Sequence, residues 1–252
     1  MPVHARFPLP SKVLALDTST DRLSVALGAI EAGQMQVVQT HEGPGGAQAS
    51  ATMIPVILSL LAAQGWTLAE LDGIAFGCGP GSFTGLRTTC AVVQGLAVAA
   101  RPGGIPVLPV NTLLAVAEEA RWQNAQGPMT AAPERIVAVL DARMDELYVA
   151  EVQLTAAGPR LLGAPWLSAP EALRLGDGWP DAVAPHTPAP WLAGNAMAVY
   201  GARLPVAWQT VVQRPAWPTA NAMLRLLPGL WADGLALDAA GAQPLYVRDK
   251  VA

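Results

Sequence analysis

Residues 14–26 read LALDTSTDRLSVA, and residues 138–150 read AVLDARMDELYVA. Each is an apolar run ending on an aspartate, then a polar turn, then a second run of alternating character, the pattern of a β-hairpin. Shifted by 124 positions (140 minus 16), Leu16, Asp17, Asp21, Leu23, Val25 and Ala26 fall on Leu140, Asp141, Asp145, Leu147, Val149 and Ala150. Matching leucines alone mean little in a chain rich in Ala and Leu. Two aspartates at matched places in the same turn point to a repeated design. The expectation is an α/β protein of two similar halves, each offering one Asp-bearing turn to a cleft.

The neighbouring sequence fits that plan. Met35–Thr40 reads as a third strand, Gln48–Gln64 as a helix, and Leu71–Gly79 as a buried strand. Phe83–Ala100 predicts a second helix, with Phe83, Leu86, Cys90, Val93 and Ala97 along one stripe. The other half is less regular. Residues 158–192 carry seven prolines and read mostly as loop, Pro218–Gly234 predicts a helix, and Gln243–Arg248 a last short strand. A first lobe over 1–108 and a second over 109–252 follow, with the C-terminal segment able to pack back on the first.

Between the buried strand and the second helix lies GCGPGSFTGLRTT, residues 77–89. Pro80-Gly81 suits a type II turn with Gly81 at positive φ. Ser82 or Thr84 can cap the helix, whose free N–H groups would face an anion. Asp17, Ser19, Gly79 and Gly81 are therefore the candidate nucleotide-binding residues, with Asp17-Thr18-Ser19-Thr20 able to orient a hydrated Mg²⁺ and a phosphate. The alternative is a turn that bonds its own backbone. Gly85-Leu86-Arg87-Thr88 is not the Gly-Lys-Ser/Thr of a Walker loop, and residues 105–112 lack the acidic residue of a dinucleotide site. In the second turn Ala142, Arg143 and Met144 carry Cβ atoms where a nucleotide clamp needs glycine, so that jaw reads as disabled. His4, His41 and His186 are far apart, and Ser82 has no elbow motif around it, so no metal site or catalytic residue is expected.

Charge is scarce: 13% of residues are charged and 52% are apolar. A net charge of −4 argues against gripping nucleic acid alone. Two cysteines, Cys78 and Cys90, suit a reducing, cytoplasmic setting. No apolar run reaches the roughly 18 residues of a membrane span, and MPVHARFPLP reads as a short tail, not a signal peptide. No charge occurs from Gly43 to Ala69 or from Thr88 to Ala100. In the first helix the apolar residues cover about 200° of the helical wheel, twice a normal core-facing stripe. In the second, Thr88, Ala91, Gly95 and Ala99 form a ridge of small residues that admits another helix. The expected partner interface is Met53, Ile54, Ile57, Leu58 and Leu61 with Thr88, Ala91, Val92, Gly95 and Ala99. Ile57→Glu or Gly95→Arg should then abolish association and leave the chain folded.

LALDTST, GCGPGSFTGLR, VLDARMDELY and QPLYVR occur in the order and spacing of the TsaB family, which the chain resembles over nearly its whole length. The resemblance implies two RNase-H-like lobes of the actin/Hsp70/sugar-kinase type. It implies a subunit without a cofactor or catalytic residue of its own. The partner is TsaD, the subunit that carries nucleotide and metal. TsaD transfers threonylcarbamoyl from threonylcarbamoyl-AMP to the adenosine beside the anticodon of tRNAs reading ANN codons. It further implies pairing with TsaD through the two uncharged helices, a third subunit TsaE, an intermediate made by TsaC, contact with tRNA only through the complex, no membrane, and a homodimer when alone. Two departures stand out: Ala49, where many members carry His, and Cys78, where many carry a basic residue. The other classes weighed are an ATP-dependent phosphotransferase of the same fold, and a peptidase.

Overall fold

The computed structural model describes residues 7–32, 34–127, 133–174 and 189–247; His4, His186 and Arg248 lie outside them. The chain divides into two compact units. One runs up to Thr112 and adds Pro218–Leu245; the other is Leu113–Trp217 with the residues from Tyr246.

In the first unit, β1 (Lys12–Asp17), β2 (Arg22–Glu31) and β3 (Gln34–Pro44) form an antiparallel meander. Then come α1 (Ala47–Ala63), β4 (Gly73–Gly79), α2 (Phe83–Ala100) and β5 (Val107–Asn111), and the sheet order is β3-β2-β1-β4-β5. β4 pairs with β1, and β5 with β4, in parallel. The two faces of the sheet differ in residue size. Leu14, Leu16, Ile74 and Phe76 point to one side, where they form the core with Met53 and Ile57 of α1 and Cys90, Val93 and Ala97 of α2. The alternate positions are small: Ala15, Gly73, Ala75 and Gly77.

That small-residue side receives the last helix, α6 (Ala220–Ala232). A Cβ on Gly28 would stand 2.8 Å from Leu224, one on Gly73 2.8 Å from the Trp231 ring, and one on Gly77 3.0 Å from Met223. Thr219 caps the helix by accepting from the Ala222 N–H at 3.0 Å. At the other end the Trp231 indole N–H donates to the carbonyls of Phe7 and Pro8 at 3.1 and 3.0 Å.

The second unit repeats the topology. It holds α3 (Thr112–Gln126, starting at the boundary), β6 (Arg135–Arg143), β7 (Glu146–Thr155), β8 (Gly158–Leu161), β9 (Trp166–Ser168), β10 (Trp191–Gly194), α4 (Ala196–Tyr200), α5 (Val206–Gln209) and β11 (Gln213–Pro215). Its sheet order β8-β7-β6-β10-β11 answers β3-β2-β1-β4-β5 strand for strand, with the same antiparallel hairpin and the same parallel partners. The repeat seen in thirteen residues is thus a repeat of the whole sheet. Residues 158–192, read as mostly loop, also hold the short strands β8 and β9 and the start of β10 where they are described. Residues 243–247 form no strand; the Leu245 N–H donates to the Cys78 carbonyl at 2.7 Å. And α3 was not anticipated, because its residues 112–120 are all buried, and a stretch without a solvent face shows no polar stripe.

Trp231 is 5% exposed and closes the small-residue face. Trp231→Ala is expected to cost about 3–5 kcal/mol, read as a lowered urea midpoint for the first unit.

Candidate functional site

The turn between β1 and β2 and the glycine loop before α2 are pressed together. Thr18 and Ser19 are buried, at 0% and 3% exposure. A Cβ on Gly81 would overlap the Ser19 carbonyl oxygen, one on Gly85 the Thr18 carbonyl oxygen, and one on Gly77 the Asp17 Oδ2. These glycines are there to let the first hairpin turn in. Hydrogen bonds complete the clasp: Ser82 N–H donates to the Ser19 carbonyl at 2.7 Å, Thr18 Oγ1 donates to the Gly85 carbonyl at 2.9 Å, and the Thr18 and Thr89 hydroxyls lie 2.6 Å apart. Ser82 is the helix cap, its Oγ accepting from Gly85 N–H at 3.3 Å. The expected type II turn does not form. Positive φ falls on Gly79 (120°), not Gly81, and the Gly79–Pro80 bond is cis. The space beside Gly79 is taken as well, since a Cβ there would stand 2.5 Å from the Leu245 carbonyl oxygen.

Asp17 shares in this closure. Its Oδ1 accepts from the Ser19 N–H at 2.9 Å and from the Ser19 hydroxyl at 2.7 Å, and Oδ2 is buried with no hydrogen-bond partner among the described residues. Burial pushes its pKa up from 3.8 to about 7, with Glu42 adding to the rise. Of the four candidate nucleotide residues, Asp17 and Ser19 are thus buried and bonded to each other, and Gly79 and Gly81 are packed against chain. The residues present do not fit a phosphate in this loop. Among the described residues no group of three His, Cys, Asp or Glu is placed to hold a metal. Cys78 and Cys90 are buried free thiols, pushed up to about 12 and about 11 chiefly by desolvation, so both stay protonated near neutral pH.

The matching turn of the second unit has the same first bond, Arg143 N–H to Asp141 Oδ1 at 2.8 Å. Tyr200 donates to the same oxygen at 3.1 Å, and the Arg143 guanidinium lies 3.2 Å from Asp141 Oδ2. Arg143, Met144 and Asp145 all have φ between 52° and 61°, a left-handed run that side chains disfavour. Arg203 holds it through Asp145 at 2.6 Å, with its other side on Glu171. An internal cation sits on the aspartate where a nucleotide clamp would keep it open. Sequence reasoning found the Cβ-bearing turn but not this ion network, whose members are 58 and 32 positions apart.

The helices tell a different story. Met53, Ile57 and Leu61, expected at the partner interface, lie in the core of their own unit, at 0%, 0% and 3% exposure. The wide apolar arc of α1 is two adjoining faces, and only one is open. Ile57→Glu would therefore break the core, and cannot serve as a surface test. Ile54 and Leu58 remain outside at 45% and 53%. On α2, Ala91, Gly95 and Ala99 are exposed, Thr88 and Val92 are half-buried, and nothing lies within 4 Å of a Cβ built on Gly95. The Ser50 and Thr88 hydroxyls, 3.4 Å apart, link the two helices along this face. Contrary to the reading that no apolar run is long enough, the eighteen residues of α2 have the length and mean hydropathy of a membrane span. Its packing accounts for that composition: Leu86, Cys90, Val93 and Ala97 enter the core beneath the sheet, while its other side is the open face. Ala49 and Cys78, the two departures, are both core residues.

In class, this is a two-lobed α/β chain of the actin/Hsp70/sugar-kinase type. A family profile described as TsaD, tRNA N6-adenosine threonylcarbamoyltransferase, matches residues 35–163. The chain is 38% identical over 145 residues to the tRNA threonylcarbamoyladenosine biosynthesis protein TsaB of Haemophilus influenzae, and 34% identical over 145 residues to that of Escherichia coli. Each match takes in 56% of this chain and about half of the relative, 53% and 55%. YeaZ from Pseudomonas aeruginosa superposes with a TM-score of 0.75 at 35% identity, over 94% of this chain and 99% of that one. A second solved structure, described as a protein with similarity to peptidase YeaZ from Pseudomonas aeruginosa, gives 0.76 at 36%, over 94% and 100%. The chain belongs to the TsaB/YeaZ family.

Two expectations test the closed loop. Gly85→Ala should destabilise the first unit by several kcal/mol, since the Thr18 backbone cannot yield, while Gly95→Ala should stabilise the chain by about 0.5–1 kcal/mol; thermal melts of the two variants should move in opposite directions. Asp17 supplies the other. A carboxyl whose folded pKa is raised favours folding fully below 3.8, and that contribution is lost as pH climbs through about 7. The stability of Asp17→Asn relative to the parent should therefore improve by up to about 4 kcal/mol between pH 4 and pH 8, measured by urea unfolding at a series of pH values.

Proposed function

We propose that the chain is a non-catalytic subunit in threonylcarbamoyl transfer to the adenosine beside the anticodon of tRNAs reading ANN codons. It supports a TsaD-type catalytic subunit by docking on it through the open face of α1 and α2. The observation that carries this is the uncharged surface of exposed Ile54, Leu58, Ala91, Gly95 and Ala99 with half-buried Thr88 and Val92 between them. Apolar and small residues at helical spacing, exposed and without a charge among them, are what close helix-to-helix association uses and what water disfavours. The same face would serve a homodimer when the catalytic partner is absent. A TsaE-type ATPase completes the assembly. With a net charge of −4, this chain meets tRNA only within the complex, in the cytoplasm, and no membrane takes part.

An ATP-dependent phosphotransferase would need the loop that Thr18 and Ser19 fill and the aspartates that are buried or ion-paired. A serine peptidase would need a nucleophile, and the Ser82 hydroxyl is engaged as a helix cap. Neither reading finds support in the geometry.

Reconstituted transfer with TsaC-, TsaD- and TsaE-type proteins of the same organism, with and without this chain, tests the proposal. Product should depend on the chain. Gly95→Arg and Leu58→Glu should abolish both association and product while leaving circular dichroism and melting temperature near those of the parent. Asp17→Asn should leave product formation intact. Activity lost in Asp17→Asn with the complex still assembled would overturn the docking-only role.

A further inference from the structure

The open side of α2 does not end on a flat surface. At Ala99, the last member of the small-residue ridge, a groove of about 660 Å³ opens between the end of α2 and the turn at Asp238. One wall is Val98–Gly104, the other Asp238–Ala240, and all of it belongs to the first unit. Both walls are fixed. Leu237 and Val107 exchange two backbone bonds of 2.8 Å, and the Gln94 side-chain amide donates to the Ala242 carbonyl at 2.9 Å. The Asp238 turn is thus tied to β5 on one side and to α2 on the other. Gly103 and Gly104 turn the chain at φ of 86° and 74°, and a Cβ on Gly103 would meet nothing within 4 Å.

The chemistry of the walls has one sign. The Ala97 carbonyl accepts from the Ile105 N–H at 3.0 Å and the Arg101 carbonyl from the Gly104 N–H at 2.8 Å. The three carbonyls between them, of Val98, Ala99 and Ala100, accept from no backbone N–H among the described residues. Pro102 stands where Val98 would find its donor, and it has no N–H to give. No basic side chain lies in the last turn of α2, so nothing there offsets the partial negative charge of the helix end. Asp238 adds a carboxylate across the groove; it is exposed, and its Oδ1 accepts from the Gly241 N–H at 3.2 Å. Arg101, the cation among the lining residues, lies 3.6 Å from Asp72. Water meets the carbonyls while the groove is open. A helix laid along Thr88, Ala91, Gly95 and Ala99 reaches the mouth and takes that water away. Acceptors left dry are costly unless donors arrive with the partner, and the field favours cationic ones. Val98, 66% exposed, and the alanines of both walls suit the apolar stem of a long basic side chain. A guanidinium can meet a carboxylate and carbonyls together, because its N–H donors form a planar fork.

We propose that this groove receives an arginine or lysine side chain of the catalytic subunit, held between the last carbonyls of α2 and the Asp238 carboxylate. This inference rests on the proposed docking through α1 and α2, and it names the polar contact that closes one end of that seam. The contact does what the ridge cannot. Small residues at spacings of three and four let a partner helix approach at several positions along α2, and a single charged anchor at one end selects one register. Because both walls are tied down beforehand, little ordering accompanies the entry of the side chain.

The test compares the parent chain with Asp238→Asn, Asp238→Lys and Ala240→Lys. Binding to the TsaD-type subunit is measured by isothermal titration calorimetry, and self-association by sedimentation equilibrium. Asp238→Asn keeps an acceptor for the Gly241 N–H and removes the charge, and it should raise Kd about three- to tenfold. Asp238→Lys and Ala240→Lys put a tethered ammonium in the groove and should raise it further. An Arg→Glu or Lys→Glu change at the contacting surface of the catalytic subunit should restore binding to Asp238→Lys, and the residue that does so is the occupant. Ala240 is exposed, so Ala240→Lys carries the test if Asp238→Lys lowers the melting temperature. Parent-like binding by both Asp238→Asn and Ala240→Lys overturns the assignment. Equal weakening of self-association gives the groove to a second copy of this chain and overturns it too. Gly95→Arg separates the two levels: if it leaves hetero-association intact, the docking face itself is wrong. If it blocks association while the Asp238 and Ala240 variants bind as the parent does, only the role of the groove is wrong.

Discussion

The contact on which the first unit depends is backbone against backbone: the carbonyls of Thr18 and Ser19 against Gly85 and Gly81. No side chain fits between them. With the turn seated, α2 starts at Phe83, capped by Ser82 three residues after β4 ends, and its buried stripe joins the core of Phe76 and Ile74 while its other side faces outward. The same seating buries Asp17 and raises its pKa. One close approach thus fills the glycine loop with the chain's own turn, and sets the direction of the helix whose other side is open.

The hairpins and the helices α1 and α2 were legible because their signals are local. Alternation marks β1 and β2, and the 3.6-residue period marks α2, whose ends at Phe83 and Ala100 coincide with the reading. What the sequence could not convey was which neighbour each residue meets. A helical wheel showed that α1 is apolar through a wide arc. It could not show that Met53, Ile57 and Leu61 face the unit's own core while Ile54 and Leu58 do not. Gly77, Gly81 and Gly85 announced a close approach, but nothing local says whether a ligand or another stretch of chain makes it. The answer lay 60 residues upstream, in the turn after β1.

The two units share one plan and differ in how they close it. In the first, the turn is sealed by glycines and by burial of a carboxyl. In the second, the sequence offers no glycine, and Arg143, Met144 and Asp145 take left-handed backbone instead, held by Arg203 and Tyr200. Each solution leaves an aspartate engaged at the turn. The profile match over residues 35–163 takes in both α1 and the second turn.

The position of α6 has a consequence for how the protein comes into being. The small-residue side of the first sheet, with Gly28, Gly73 and Gly77, is covered by residues beyond Pro218. During synthesis the five strands of that sheet leave the ribosome long before their cover does, and the intervening unit is made first. The nascent first lobe must therefore wait with one face bare, a long-range closure that slows its completion and leaves an interval in which chaperones have something to hold. The last α-helix among the described residues is the lock of the first lobe, and a chain cut before Trp231 leaves the small-residue side of that lobe's sheet without its full cover.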